Sequence, residues 1–231
     1  NFANTSGINN PDNYSTVRDI ALMSAYLIKN YPYYYEYFKG TTFTWERTGG
    51  NPISQNNRNT LLFQNIGVDG IKTGHLAAEA YSLASSIKKD TRRLIAVASG
   101  FETNALRMNQ SRKLLTWGLT NTVTFEISKK KETIFEIDTW LGNQMVAKGH
   151  TKENVYQTID KKNLNGFDVF LEYNGPIKAP IKKGNEIALI KIFNKKELIR
   201  SVPVYASEDV KKINFLLSLL TSLNYMIWGD V

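Results

Sequence analysis

The segment 68–100 constrains the fold more than any other part of this chain. It reads as strand, loop, strand, turn and strand, with one strand through Lys72 and Thr73, a second over 81–87, a polar turn over 88–92 and a third over 94–99. Apolar and β-branched runs separated by such short polar breaks predict an antiparallel meander. Helical patterns flank it. Over 17–29, Val17, Ile20, Ala21, Met23, Ala25, Leu27 and Ile28 recur at helical spacing behind an N-cap at Ser15 or Thr16 with Asp19 in the first turn, and Pro32 ends the run. Over 104–119, Leu106, Gln110, Lys113, Leu114 and Trp117 give a second helix that stops at Gly118. The aromatic stretch 31–38 is expected to pack beside the first helix rather than to stack on nucleic acid. Residues 41–45 read as a short strand, and 49–59 as a long turn-forming loop.

Past Asn121 the texture changes to short alternating strands separated by Lys, Asn and Gly turns, which predicts a small β-sandwich or barrel. From Ser207 an N-cap with an acidic first turn leads into an apolar run, read as a terminal helix. Val210, Ile213, Leu216, Leu217, Leu220, Leu223 and Ile227 form its stripe, with Lys211, Lys212 and Asn214 opposite. That run is too short to span a bilayer, for which roughly 20 apolar residues are needed, so an in-plane interfacial helix is expected. The alternative is a helix docked on the β-rich part. The fold class is therefore α+β, organised as 1–121, a β-rich 122–206 and a helical 207–231.

Composition removes several chemistries. The chain has no cysteine, which excludes disulfides, Cys-ligated zinc and thiol nucleophiles, and with only His75 and His150 a metal site would need mostly carboxylates. No metal or cofactor is expected. Lys and Arg number 29 against 21 Asp and Glu, a net charge of +8 that favours an anionic partner. The positive charge is dispersed and no recognition motif accompanies it, so nucleic acid is not the expected one. Residues 1–10 show neither a signal peptide's pattern nor an initiating Met, and the reading is of a chain that starts inside a longer protein.

The motif that carries chemistry is Lys72-Thr73-Gly74 on the first strand of the meander, preceded by Val68-Asp69-Gly70-Ile71 and followed by His75. A strand edge can pair with an extended acyl group as an added strand. The Lys ammonium supplies charge for a carboxylate and Thr a hydroxyl donor, while Gly lets a substrate backbone approach without a Cβ. A main-chain N–H just after the triad can point at a tetrahedral oxygen.

Together with "STVRDIALMSAYLI", "NRNTLLF", "RRLIAVASG" and "SRKLLTWG", in this order and spacing, the motif resembles the low-molecular-mass penicillin-binding proteins, the D-alanyl-D-alanine carboxypeptidases. The resemblance covers essentially the whole chain. It implies a β-lactamase/transpeptidase-like serine peptidase domain, here partial, followed by a β-rich domain and an amphipathic helix. It also implies removal of the terminal D-alanine from peptidoglycan stem peptides, acylation by β-lactams, and a place on the outer face of the cytoplasmic membrane, held there through residues 207–231. Carried over, Lys72, Thr73 and Gly74 correspond to the substrate triad and the His75 main-chain N–H to half of the oxyanion hole. Arg107 and, less directly, Arg58 would serve the substrate carboxylate; each has a purely structural or solvated alternative.

The family's Ser-x-x-Lys and Ser-x-Asn motifs are expected upstream of residue 1, so this chain alone would be inactive. The literal matches at Ser54, Ser85, Ser86 and Ser128 are rejected, because a catalytic Ser-x-x-Lys belongs at a helix start, where one turn brings both side chains together. A serine β-lactamase and a non-catalytic envelope module, binding a partner or acting as a stalk, remain the alternatives.

Overall fold

A computed structural model describes residues 1–77 and 80–229. The chain divides into two compact units, Asn1–Asn121 and Thr122–Val231.

In the first unit, α1 (Val17–Asn30) starts where Thr16 Oγ1 accepts from the Asp19 N–H at 3.1 Å. After α2 (Pro32–Tyr35) and a 3₁₀ turn over Glu36–Lys39, β1 (Thr42–Trp45) pairs with β2 (Ile53–Asn56) as an antiparallel hairpin. The expected long loop over 49–59 is thus partly strand. Its polar sequence hid that pairing, which is held by cross-strand Thr42–Asn56 and Thr44–Ser54 hydrogen bonds rather than by a buried face. A 3₁₀ turn over Thr60–Phe63 leads into β3 (Val68–Leu76), β4 (Ala80–Lys89) and β5 (Arg92–Phe101), the antiparallel meander, and then α3 (Asn104–Asn121).

Strand alternation sorts the core into two layers. Leu83 and Ile87 of β4, with Leu94 and Ala96 of β5, meet Met108 and Leu115 of α3. Ala84, Ile95 and Val97 point the other way, to Tyr35 and to Ile20, Leu27 and Ile28 of α1. The helix stripe read from the sequence is therefore too broad, since Val17 and Met23 are exposed. Likewise, of the aromatic stretch only Tyr35 is buried and Phe38 packs on it, while Tyr33, Tyr34 and Tyr37 are exposed.

The second unit holds β6 (Thr122–Ser128), β7 (Phe135–Trp140), β8 (Val146–His150), β9 (Val155–Asp160), β10 (Phe167–Glu172), β11 (Ile177–Lys178), β12 (Glu186–Asn194) and β13 (Glu197–Ala206). Six of them form one sheet in the order β10-β12-β13-β8-β7-β11, and β6 pairs with β9. The two sheets share a core in which Ile137, Ile192, Val204 and Val210 are fully buried and Val155 and Ile127 come from the ribbon. That is a sandwich-like arrangement.

The terminal helix differs from its sequence reading. Residues 207–213 are not helical: Ile181 and Val210 exchange backbone hydrogen bonds at 2.9 Å, and the Ile213 N–H reaches Leu141 O at 3.0 Å. Burying Val210 in the β core and pairing its backbone there outweighs one more helical turn. The helix α4 is Phe215–Trp228, capped by Asn214, whose Oδ1 accepts from the Leu217 N–H at 2.9 Å. Val210, Lys211, Lys212 and Ile213 thus lie outside the helix they were assigned to. Ser218 is its one buried residue, Tyr225, two turns on, packs edge-to-face on Trp140 at 5.1 Å, and Leu216, Leu220, Leu223 and Ile227 are exposed. The small polar stripe faces the β unit and the apolar stripe faces outward.

Because Ile192 sits at the centre of this core, Ile192→Ala is expected to cost about 2–5 kcal/mol in denaturant unfolding of the second unit. A cost near zero would show that the core is not closed around it.

Candidate active site

The site is built on β3. Its one neighbour is β4, so among the described residues its other edge is open. Three groups hold that strand from behind. Arg107, 4% exposed on α3, donates through Nη1 to Gly74 O at 3.3 Å and through Nη2 to Arg58 O at 3.4 Å and Asn104 Oδ1 at 2.6 Å. Asn59, 1% exposed, donates to Gly70 O at 3.1 Å while its Oδ1 caps the 3₁₀ turn through the Leu61 N–H at 3.3 Å. At the start of the strand, Asp69 Oδ1 accepts from Tyr35 Oη at 2.9 Å and from Arg93 Nη1 at 2.7 Å, and Arg93 also donates to Ser86 Oγ. The Arg93 guanidinium lies 5.3 Å from the Tyr35 ring centre.

This network explains a glycine. A Cβ on Gly70 would come within 2.7 Å of Tyr35 Oη and 3.3 Å of its Cζ, so the ring that orients Asp69 also excludes a side chain there. It also sets the electrostatics. Burial pushes the Tyr35 phenol up to about 12, reinforced by the neighbouring Asp69 charge. Burial works to raise the Asp69 carboxyl, but the Arg93 hydrogen bond, with Tyr35 and the Arg93 charge, outweighs it and holds the group below the usual carboxylate range. Burial lowers the Arg107 guanidinium and the like charge of Arg58 adds to this, while Tyr81, whose ring centre is 5.3 Å away, opposes it.

One open cleft of about 1450 Å³ brings together all six residues singled out from the sequence, Arg58, Lys72, Thr73, Gly74, His75 and Arg107. Lys72 is exposed and its Nζ donates to Thr73 O at 2.6 Å. The exposed His75 ring lies against Tyr81 with centres 4.1 Å apart. Arg58, Lys72 and Arg107 have no ion-pair partner among the described residues, so the cleft offers three cations to an anion. A Cβ at Gly74 would run into Ser82 Oγ on the neighbouring strand β4. No cluster of potential metal ligands occurs among the described residues.

All four rejected serines lie on strands and none stands at a helix start. Ser85 and Ser86 are fully buried inside β4, Ser128 is buried against Thr151, and Ser54 pairs with Thr44 in the hairpin. Sequence reasoning passed over Tyr35, Asn59, Asp69 and Arg93. The aspartate beside the motif carried a weak signal, but its partners lie 24 and 34 residues away and no local spacing reveals them.

Residues 1–103 match the family described as D-alanyl-D-alanine carboxypeptidase, and residues 123–212 match the penicillin-binding protein 5 C-terminal domain. The D-alanyl-D-alanine carboxypeptidase DacC of Escherichia coli is 33% identical over 93% of this chain and 53% of its own length. The one named DacA in Haemophilus influenzae is 33% identical over 82% and 48%. The crystal structure of penicillin binding protein 5 from Haemophilus influenzae superposes with a TM-score of 0.81 at 31% identity, covering 92% of this chain and 61% of that one. The chain thus pairs a segment of the D-alanyl-D-alanine carboxypeptidase family, residues 1–103, with a penicillin-binding protein 5 C-terminal domain, residues 123–212. It spans about half the length of the curated relatives it matches.

Asp69 gives the site a pH signature. A carboxyl held below its ordinary value of 3.8 stabilises the fold fully above that pH, and this stability is lost as pH falls through the lowered value. Asp69→Asn is expected to cost about 1–3 kcal/mol at neutral pH and to flatten the acid limb of the stability profile in thermal melts. Tyr35 has the opposite sign: its contribution is whole below 10.0 and is lost as pH rises towards about 12. Tyr35→Phe should therefore remove the last step of a phenol titration.

Proposed function

We propose that the protein containing this chain is a serine-type D-alanyl-D-alanine carboxypeptidase acting on peptidoglycan stem peptides. The observation that supports this most is the open edge of β3, carrying Lys72, Thr73 and Gly74 into a cleft with Arg58 and Arg107. The penultimate D-alanine pairs with that edge as an added strand, and the terminal carboxylate is drawn by the cationic side chains. The attacking serine, with its lysine base, comes from the part of the relatives' length that this chain does not span. Its Oγ adds to the carbonyl between the two D-alanines, and the His75 main-chain N–H faces the resulting oxyanion. The C–N bond breaks, D-alanine leaves with a proton on its amine, and water hydrolyses the acyl-serine ester. A β-lactam enters the same route by opening its ring onto the serine. Arg107 acts as a positioning residue as well as a charge, because its hydrogen bond to Gly74 O fixes the strand edge.

The outward apolar face of α4 supports a place at a membrane surface. No helix among the described residues is long and apolar enough to cross a membrane. Leu216, Leu220, Leu223 and Ile227 sit in the outer leaflet interface of the cytoplasmic membrane, with the exposed Trp228 at head-group level. In this reading the enzyme works on the periplasmic side of the bacterial envelope, where its peptidoglycan substrate lies.

The test is D-alanine release by the complete encoded protein from a peptide ending in D-Ala-D-Ala. Lys72→Ala should lower kcat/KM roughly 10²-fold with the melt unchanged. A folded wild-type protein that neither releases D-alanine nor is acylated by fluorescent penicillin would instead be a non-catalytic envelope module. Replacing Leu220 and Leu223 by Asp should abolish co-flotation with phospholipid vesicles, and retained flotation would reject the α4 surface.

A further inference from the structure

The cleft extends beyond β3 onto the β1–β2 hairpin, and there it changes character. Phe43 and Trp45 alternate onto the same side of β1, with rings nearly parallel at 22° and centres 5.9 Å apart. Both line the cleft, Phe43 at 69% and Trp45 at 37% exposure, and Gln55, paired with Phe43 across the hairpin, lines it beside them. The opposite side of the hairpin is a polar ladder, Thr42–Asn56 and Thr44–Ser54. Both rings are thus outside every hydrophobic core of the unit, although aromatic rings of this size are normally buried. An isolated two-stranded hairpin is marginal in water, yet this one is fastened to the substrate strand. The Asn57 N–H and side chain bond to Thr41 O at 2.7 Å and Gly40 O at 2.9 Å, and two residues on Asn59 bonds to Gly70 O.

We infer that Phe43 and Trp45 form a stacking platform for the sugar rings of the glycan to which the stem peptide is attached. This rests on the carboxypeptidase reading for the identity of the ligand. Two features select a neutral sugar chain over a second peptide or an anion. The two strands of the hairpin, Thr42–Trp45 and Ile53–Asn56, carry no ionisable side chain, in contrast to the three cations beside β3. The apolar C–H face of a pyranose stacks on an aromatic face, while the Gln55 amide suits hydroxyl or acetamide groups. The triad then reads the peptide end and the hairpin reads the carrier, which gives a preference for peptide still joined to glycan.

The experiment uses the complete encoded protein and the β-1,4-linked tetramer of N-acetylglucosamine, a probe with no peptide. The Trp45 indole N–H resonance, assigned through Trp45→Phe, should shift on titration, and the Phe43→Leu/Trp45→Leu pair should bind roughly tenfold more weakly. Thr44→Ala, on the other side of the hairpin, should bind as wild type. The Leu pair should also lower kcat/KM for disaccharide-linked pentapeptide roughly tenfold relative to the same pentapeptide without sugar. Leucine keeps the residues apolar so that the hairpin folds, and an amide spectrum superposable on wild type confirms this. Sugar binding without D-alanine release would sustain the platform and reject the carboxypeptidase reading. An unresponsive indole, including one covered by another segment of the protein, or an unchanged substrate ratio with D-alanine release intact, would overturn the platform alone.

Discussion

Everything at the site depends on one strand being held firmly on one side so that it can be left open on the other. An unpaired edge invites unwanted pairing unless its geometry is controlled. In β3 the control comes from the buried side of the strand, through hydrogen bonds to its own carbonyls from Asn59 at Gly70 and Arg107 at Gly74. The Tyr35–Asp69–Arg93 cluster fixes the start of the same strand. Each of these groups is buried or half-buried and comes from a different element, so the strand is located by the tertiary fold and not by its own propensity. Arg107 is the clearest case of a charge used in two ways. Its guanidinium is committed to two main-chain oxygens and to Asn104 Oδ1, and its cationic field still reaches the cleft that it lines.

The two units solve different problems. The first wraps two layers of helix around a three-stranded sheet whose alternation supplies both cores. The second buries aliphatic residues between a six-stranded sheet and a two-stranded ribbon, and it continues that core past its last strand through Val210. Locking residues 207–213 into the β unit leaves α4 a fixed point of departure. With Ser218 buried and Tyr225 packed on Trp140, Leu216, Leu220 and Leu223 are left exposed.

Local periodicity made much of this legible. The meander, α1, α3 and most strands of the second unit follow from alternation and helical spacing, and Lys72 to Gly74 with the two arginines converge in one cleft as their motifs imply. What escaped the sequence depended on distant partners. The β2 strand is polar and is stabilised by cross-strand hydrogen bonds, β8 is five residues interrupted by Gly149, and the start of α4 was displaced because Val210 found a strand partner at Ile181. Tyr35, Asn59 and Arg93 are invisible for the same reason, since each acts on a backbone or carboxylate far along the chain. The Phe43–Trp45 pair reads in the sequence as ordinary strand, and only its exposure distinguishes it.

The central claim is that the free edge of β3 is the edge that receives substrate. The most direct measurement is a crystal structure of the complete encoded protein acylated by a penicillin bearing a peptide-like side chain. The account predicts that the side-chain amide pairs with the β3 backbone between Thr73 and His75 as an added strand, with the carboxylate directed to the cationic side chains of the cleft. An acyl group bound elsewhere, with that edge unpaired, would contradict it.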